Sequence, residues 1–202
     1  MKLYQTAATP NCQRVDIFLK ENDLTIPRIE INVRAGDNLK DEFKRISLNG
    51  KVPVLTLDSG ECLCESIAIC RYLDALYPCP QHLFGESPET IGKIEMWNRV
   101  IELEGIQLIS QAFRHLKKIY QQRENCIDAW GHEALLRFQY ILPKLEQQLS
   151  NFDYIAGNQF SIADISAFIM LKVAKLLDVE IDQRWPNLLN WHNQLKQRPA
   201  FQ

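Results

Sequence analysis

Three short segments carry residue types suited to an anionic or nucleophilic ligand. Gly50-Lys51-Val52-Pro53-Val54-Leu55 puts a proline at the start of a strand-like run. Proline has no N–H to give to a ladder, so it belongs at a strand's first position or on an edge. A cis Val52-Pro53 bond would turn the Val52 backbone outward, offering its N–H and C=O to an extended peptide ligand; a trans bond is the plain alternative. Glu65-Ser66-Ile67-Ala68-Ile69 opens a helical pattern with an acid and a hydroxyl. The unpaired N–H groups and dipole at such an end favour an anion, although simple capping uses the same residues. Thr9-Pro10-Asn11-Cys12 opens an earlier helix. A hydroxyl there can donate to a bound thiolate, or Thr9 or Asn11 can merely cap the helix.

These segments need elements to hold them. Lys2 to Gln5 reads as a strand, and Pro10 to about Asn22 as a helix with Val15, Ile17, Phe18 and Leu19 buried. Ile29, Ile31 and Val33 alternate along a second strand, Arg28 to Val33, and a short charged helix follows over Leu39 to Ile46. Val52 to Leu57 is a third strand, turned by Asp58-Ser59-Gly60-Glu61 into a fourth at Cys62-Leu63. Apolar residues at 67, 69, 70, 73 and 76 mark one face of a helix over Glu65 to Tyr77. The order is βαβαββα. A right-handed crossover makes the first two strands parallel, and the last two pair as a hairpin.

The segment 78–87, with Pro78, Pro80 and Gly85 and no apolar period, reads as a linker between an α/β domain (1–77) and an all-helical domain (88–202). Helical stretches are expected at about 88–119, 125–149, 161–178 and 186–198. Ser161 and Asp164 have capping-box spacing and read as structural.

Composition excludes several classes. At 46% hydrophobic and 24% charged, the 202-residue chain is of globular type. A net charge of -2 gives no case for nucleic acid or an anionic membrane surface. No apolar run reaches the roughly 20 residues of a membrane span, and the start MKLYQTAATPNC does not read as a signal peptide. A cytoplasmic protein is the expectation. Six cysteines (Cys12, Cys62, Cys64, Cys70, Cys79 and Cys126) then read as small buried hydrophobes, and the Cys62/Cys64 spacing with His82 as the nearest histidine does not make a zinc site.

Together, KVPVL at 51–55, ESIAICRYL at 65–73, FSIADI at 160–165 and LKQRPAFQ at 195–202 resemble the cytosolic glutathione transferase family over nearly the whole chain. The resemblance implies a thioredoxin-like domain followed by a helical one, a homodimer, and glutathione as co-substrate without a metal. It implies a cis Pro53, with Val52 pairing backbone-to-backbone with the cysteinyl part of glutathione. Glu65 and Ser66 would hold the γ-glutamyl end, with Lys51 and Lys40 as partners for the glycine carboxylate. TPNCQRV at 9–15 looks like the bacterial Thr-Pro-Asn variant of the activating motif. Thr9 is then the candidate hydroxyl, Asn11 supports it, and Thr6 is a lesser candidate.

The chemistry implied is activation of the glutathione thiol for attack on a hydrophobic electrophile. The resemblance puts the electrophile pocket between the domains, with Leu108, Gln111, Phe113 and Arg114 as possible lining. Glutathione-dependent disulfide reduction and a non-enzymatic binding role are the alternatives. Redox cycling on the chain's own cysteines is disfavoured, because a C-x-x-C alignment leaves Cys12 without a partner at Thr9.

Overall fold

The computed structural model describes all of residues 1–202. Its contacts divide the chain into two units, Met1–His82 and Leu83–Gln202.

The first unit is a four-stranded mixed sheet with spatial order β2-β1-β3-β4. Strand β1 (Lys2–Gln5) leads into helix α1 (Pro10–Glu21), which crosses back to β2 (Arg28–Glu30) in parallel with β1. β3 (Val54–Thr56) runs antiparallel to β1, and β4 (Cys62–Cys64) antiparallel to β3. Helix α3 (Ser66–Leu76) follows, and a short α2 (Asp41–Lys44) lies between β2 and β3. This is the thioredoxin-like arrangement. Leu3, Val54 and Leu55 of the sheet, Val15, Phe18 and Leu19 of α1, and Ile69, Cys70 and Leu73 of α3 are all fully buried.

Three elements are shorter than the sequence pattern suggests. β2 stops at Glu30, because β1 ends at Gln5, whose carbonyl accepts the Ile31 N–H at 2.7 Å. Beyond it the chain is turned by Asp37 Oδ2, which accepts the Asn32 N–H at 3.1 Å. The helix expected over Leu39 to Ile46 is a 3-10 turn (Asp37–Leu39) and then only α2. Pairing in β3 begins at Val54, after the proline.

The second unit is helical: α4 (Pro88–Val100), a π-helical segment Ile101–Ile106, α5 (Gln107–Lys117), α6 (Asp128–Gln139), α7 (Leu142–Leu149), α8 (Ile162–Lys175) and α9 (Pro186–Leu195). The stretch 125–149 breaks into two helices where Pro143 cannot donate to the Gln139 carbonyl. Leu83, within the segment read as linker, is buried, and its carbonyl accepts the Ile162 N–H at 3.0 Å.

Residues Phe160–Leu171 are buried without interruption, so α8 forms the core of this unit. Its start is organised by Asp164. Oδ1 accepts the Ile155 N–H and the Trp191 indole N–H, both at 2.9 Å. Oδ2 accepts the Ser161 N–H at 2.9 Å and the Ser161 hydroxyl at 3.0 Å. Burial pushes this carboxyl up to about 6 against the pull of those four donors, so it is ionised at neutral pH. In the same unit, His192 stacks on Phe168 with ring centroids 5.1 Å apart. Burial, then the nearby Lys196 and Lys175 charges, lower the imidazole to about 4.

Two predictions follow from these groups. Asp164→Ala leaves two backbone N–H groups, a hydroxyl and an indole N–H unpaired in the core, a loss of about 3–5 kcal/mol. Urea denaturation measures it, and a loss under about 1 kcal/mol would contradict the assignment. His192 works in acid. Between its unfolded value of 6.5 and its folded value near 4, the unfolded chain binds the proton and the folded chain does not, so stability falls as pH drops. His192→Phe keeps the stacked ring and removes the titration. The variant's Tm should gain on the wild type between pH 7 and pH 5, and a constant difference would refute the linkage.

Candidate functional site

The sequence places a proline immediately after Thr9, and the structure uses it as the first residue of α1, with Thr9 extended (φ -81°, ψ 143°) as N-cap. The Thr9 side chain does not cap the helix; its hydroxyl donates to the Thr6 carbonyl at 2.9 Å. Thr6 is committed elsewhere, since its own hydroxyl donates to the Ile31 carbonyl. Asn11 is exposed, and its Oδ1 accepts from Arg14 Nη1 at 3.2 Å. Cys12 is 1% exposed, and burial pushes its thiol up, partly offset by the adjacent Thr9 side chain and Thr6 backbone. A protonated, enclosed thiol is a poor nucleophile.

The second segment is a loop fixed by side chains. The Lys51 N–H donates to Ser47 Oγ at 3.0 Å and to Asn49 Oδ1 at 3.1 Å, while the Ser47 hydroxyl donates to the Lys51 carbonyl at 2.9 Å. Asn38 Nδ2 donates to the Gly50 carbonyl at 2.7 Å. Gly50 takes φ +65°, and a Cβ there would lie 3.3 Å from the Asn38 carbonyl oxygen, which accounts for the glycine. The Val52-Pro53 bond is cis. Pro53 is buried, and Val52 precedes the β3 ladder, so its N–H and C=O are not committed to a neighbouring strand. The Lys51 side chain is exposed. Lys40 is also exposed and pairs with Asp37 Oδ1 at 2.6 Å, an arrangement worth little in water.

The third segment carries the one strained backbone of the site. Glu65 sits at φ 67°, ψ 118°, outside the regions an L-residue favours. Its carbonyl accepts the Ile69 N–H at 3.0 Å, and its carboxylate accepts Asn49 Nδ2 at 3.1 Å. Ser66, the first residue of α3, is 4% exposed, and its Oγ accepts from Arg14 Nη1 at 2.6 Å.

Arg14 is the residue that sequence reading missed. It is 2% exposed, and one nitrogen of its guanidinium reaches both Asn11 on α1 and Ser66 on α3. The available signal was an arginine among Cys12, Val15 and Phe18 on an otherwise apolar face, three residues after a polar Asn. Thus Asn11 and Ser66 are joined through Arg14, and Glu65 and Lys51 are joined through Asn49. Lys40 is drawn to Asp37 instead. In the helical unit, Gln111 Oε1 accepts the Trp130 indole N–H at 2.6 Å, and Arg114 is held by Glu124, with 2.8 Å from Nε to Oε2.

Neither α1 nor α3 has a side-chain cap or an acid in its first turn. Their leading N–H groups are therefore open to an anion. Two ends with such vacancies, a Val52 edge free of its ladder and an adjacent acid make up the candidate site.

Comparison with known proteins identifies the family. Residues 3–86 match the glutathione S-transferase N-terminal domain, and residues 132–199 match the glutathione S-transferase C-terminal domain. A crystal structure of a Gtt2-class glutathione S-transferase from Vibrio parahaemolyticus is 47% identical, with a TM-score of 0.90, covering 100% of this chain and 96% of that one. Glutathione S-transferase 2 of Saccharomyces cerevisiae is 32% identical over 209 residues, covering 99% of this chain and 87% of the yeast protein. The crystal structure of Gtt2 from Saccharomyces cerevisiae superposes with a TM-score of 0.94 at 31% identity, covering 100% and 98% of the two chains. The chain belongs to the glutathione S-transferase family.

Proposed function

We propose that the protein is a glutathione transferase that activates the glutathione thiol at the start of α1 and transfers the peptide to an electrophilic carbon of a hydrophobic small molecule. The observation that carries this reading is the pair of uncapped helix starts, α1 with Thr9 and Asn11 and α3 with Ser66, joined by a buried Arg14. On this reading Val52 pairs with the cysteinyl backbone of glutathione, Pro53 holds the loop against β3, and Glu65 and Ser66 take the γ-glutamyl ammonium and carboxylate. Lys51, exposed beside Val52, and more weakly Lys40, serve the glycine carboxylate.

The magnitudes are sufficient. A free thiol titrates near ~8.5, and lowering it to about 6.5 requires roughly 2.7 kcal/mol of preference for the thiolate. One hydrogen bond to a charged group supplies about 1.5–3 kcal/mol, and a helix N-terminus up to ~1 kcal/mol. The Asn11 amide N–H groups make no bond within the chain and can be given to the sulfur directly. Thr9 must first release the Thr6 carbonyl, because a hydroxyl carries a single proton. The thiol proton is released to water, and the thiolate forms a C–S bond with the electrophile. As it does so the halide of an aryl halide departs, the C–O bond of an epoxide opens, or an enone becomes its enolate, the last two then taking a proton from water. Family resemblance extends the reading to a homodimer in the cytoplasm.

Three outcomes test the proposal. The protein should be retained on immobilised glutathione and should conjugate glutathione to at least one member of a panel of activated aryl halides, epoxides and enones. Retention without conjugation, but with reduction of small disulfides, would favour a disulfide reductase; retention with neither would favour a binding protein. Asn11→Ala and Thr9→Ala should each raise the pKa of the bound thiol by about one unit and lower kcat/KM about 10-fold, whereas Cys12→Ser should leave both near wild type. Glu65→Gly should separate stability from binding. It should relieve about 1 kcal/mol of backbone strain, raising the urea midpoint, while weakening glutathione binding.

A further inference from the structure

From the two hydrogen bonds of the buried Arg14 guanidinium, we infer that Arg14 is a positioning residue that turns both Asn11 and Ser66 into donors toward bound glutathione. The inference rests on the glutathione reading above and assigns a task to a residue that reading does not place against the ligand.

The chemistry of the partners fixes the argument. A guanidinium donates and never accepts. Nη1 carries two N–H groups, and they are spent on Asn11 Oδ1 at 3.2 Å and Ser66 Oγ at 2.6 Å. Each partner is amphoteric: an amide can present its oxygen or its NH2, and a hydroxyl can donate or accept. By occupying the acceptor side of each, Arg14 leaves the Asn11 NH2 and the Ser66 O–H as the groups still available. Both ligand charges that would meet these side chains, the thiolate at α1 and the γ-glutamyl carboxylate at α3, require donors.

Without Arg14, Asn11 can flip its amide and Ser66 can rotate its hydroxyl, so each presents a lone pair to an anion in part of its population. Burial makes the arrangement stiff. Arg14 is 2% exposed and Ser66 4% exposed, so water does not compete for the Ser66 lone pair. The two bonds also tie the starts of α1 and α3 together, holding the two donor positions at a fixed separation along the ligand. Lysine cannot substitute fully, because a point ammonium on a flexible stem lacks the planar fork.

The test uses Arg14→Met and Arg14→Lys in the full-length protein, with two thiol substrates: glutathione, and cysteinylglycine, which lacks the γ-glutamyl group. In Arg14→Met, the ratio of kcat/KM for glutathione over cysteinylglycine should fall about 10- to 100-fold, and the bound thiol should titrate about one unit higher. Adding Ser66→Ala to Arg14→Met should lower that ratio little further, since both changes remove the same donor. A role in stability alone would lower Tm without changing the ratio or the thiol titration. An unchanged ratio and titration, or fully additive losses with Ser66→Ala, would overturn the inference. If Arg14→Met does not fold, Arg14→Lys decides by the same two readings: loss in either supports the assignment, and wild-type values in both overturn it. Wild-type protein that binds no glutathione by calorimetry would instead remove the reading on which the inference rests.

Discussion

The constraint on which this molecule depends is that the first N–H groups of a helix have no partner within it. The chain answers it in two ways. At α8 it fills the vacancy with its own carboxylate, Asp164, which gathers the Ser161 N–H and hydroxyl with donors from Ile155 and Trp191. At α4, Ser87 and Thr90 exchange bonds across the first turn. At α1 and α3 no side chain caps the first turn, and in the proposed function those groups serve the ligand. Under the proposed reading, the open starts of α1 and α3 carry the site, while those of α4 and α8 are closed by their own side chains.

Leaving two helix starts open is tolerable only if something else fixes them. Arg14 is that element in the first unit, a buried cation whose bonds run between α1 and α3. Buried charges are costly unless they are hydrogen-bonded, so a guanidinium in this position implies a return in geometry rather than in raw stability. Glu65 shows the same exchange in the backbone, where a strained φ places a carboxylate beside Asn49 and the head of α3. On the proposed reading, the catalytic apparatus consists of ordinary donors whose orientation is settled beforehand by their neighbours.

Much of this was legible in the sequence, for identifiable reasons. Alternation at Ile29 and Ile31, the Asp58–Glu61 turn and the apolar spacing of 67, 69, 70 and 73 fix β2, the β3-β4 hairpin and α3, because each is a local pattern. The end of β2 was not legible, because it is set by where β1 runs out, which is a tertiary fact. The break between α6 and α7 was in principle readable from Pro143, but apolar periodicity on both sides of it concealed the boundary. At the site, Thr9, Asn11, Val52, Pro53, Glu65 and Ser66 stand in motifs with local meaning. Arg14 does not. Its partner Ser66 lies 52 positions away, and only the fold brings them together. Thr6 illustrates the converse: it has the right residue type, but its hydroxyl is given to the Ile31 carbonyl, a partner that only the fold brings near.

The most direct test of the account is a crystal structure with glutathione bound. The γ-glutamyl carboxylate should lie at the start of α3 against the Ser66 hydroxyl, the cysteinyl backbone should face Val52, and the sulfur should lie within ~3.2 Å of Asn11 Nδ2 or Thr9 Oγ1. A sulfur directed away from the start of α1, with neither group in reach, would contradict the claim that the open helix ends are the working parts of the site.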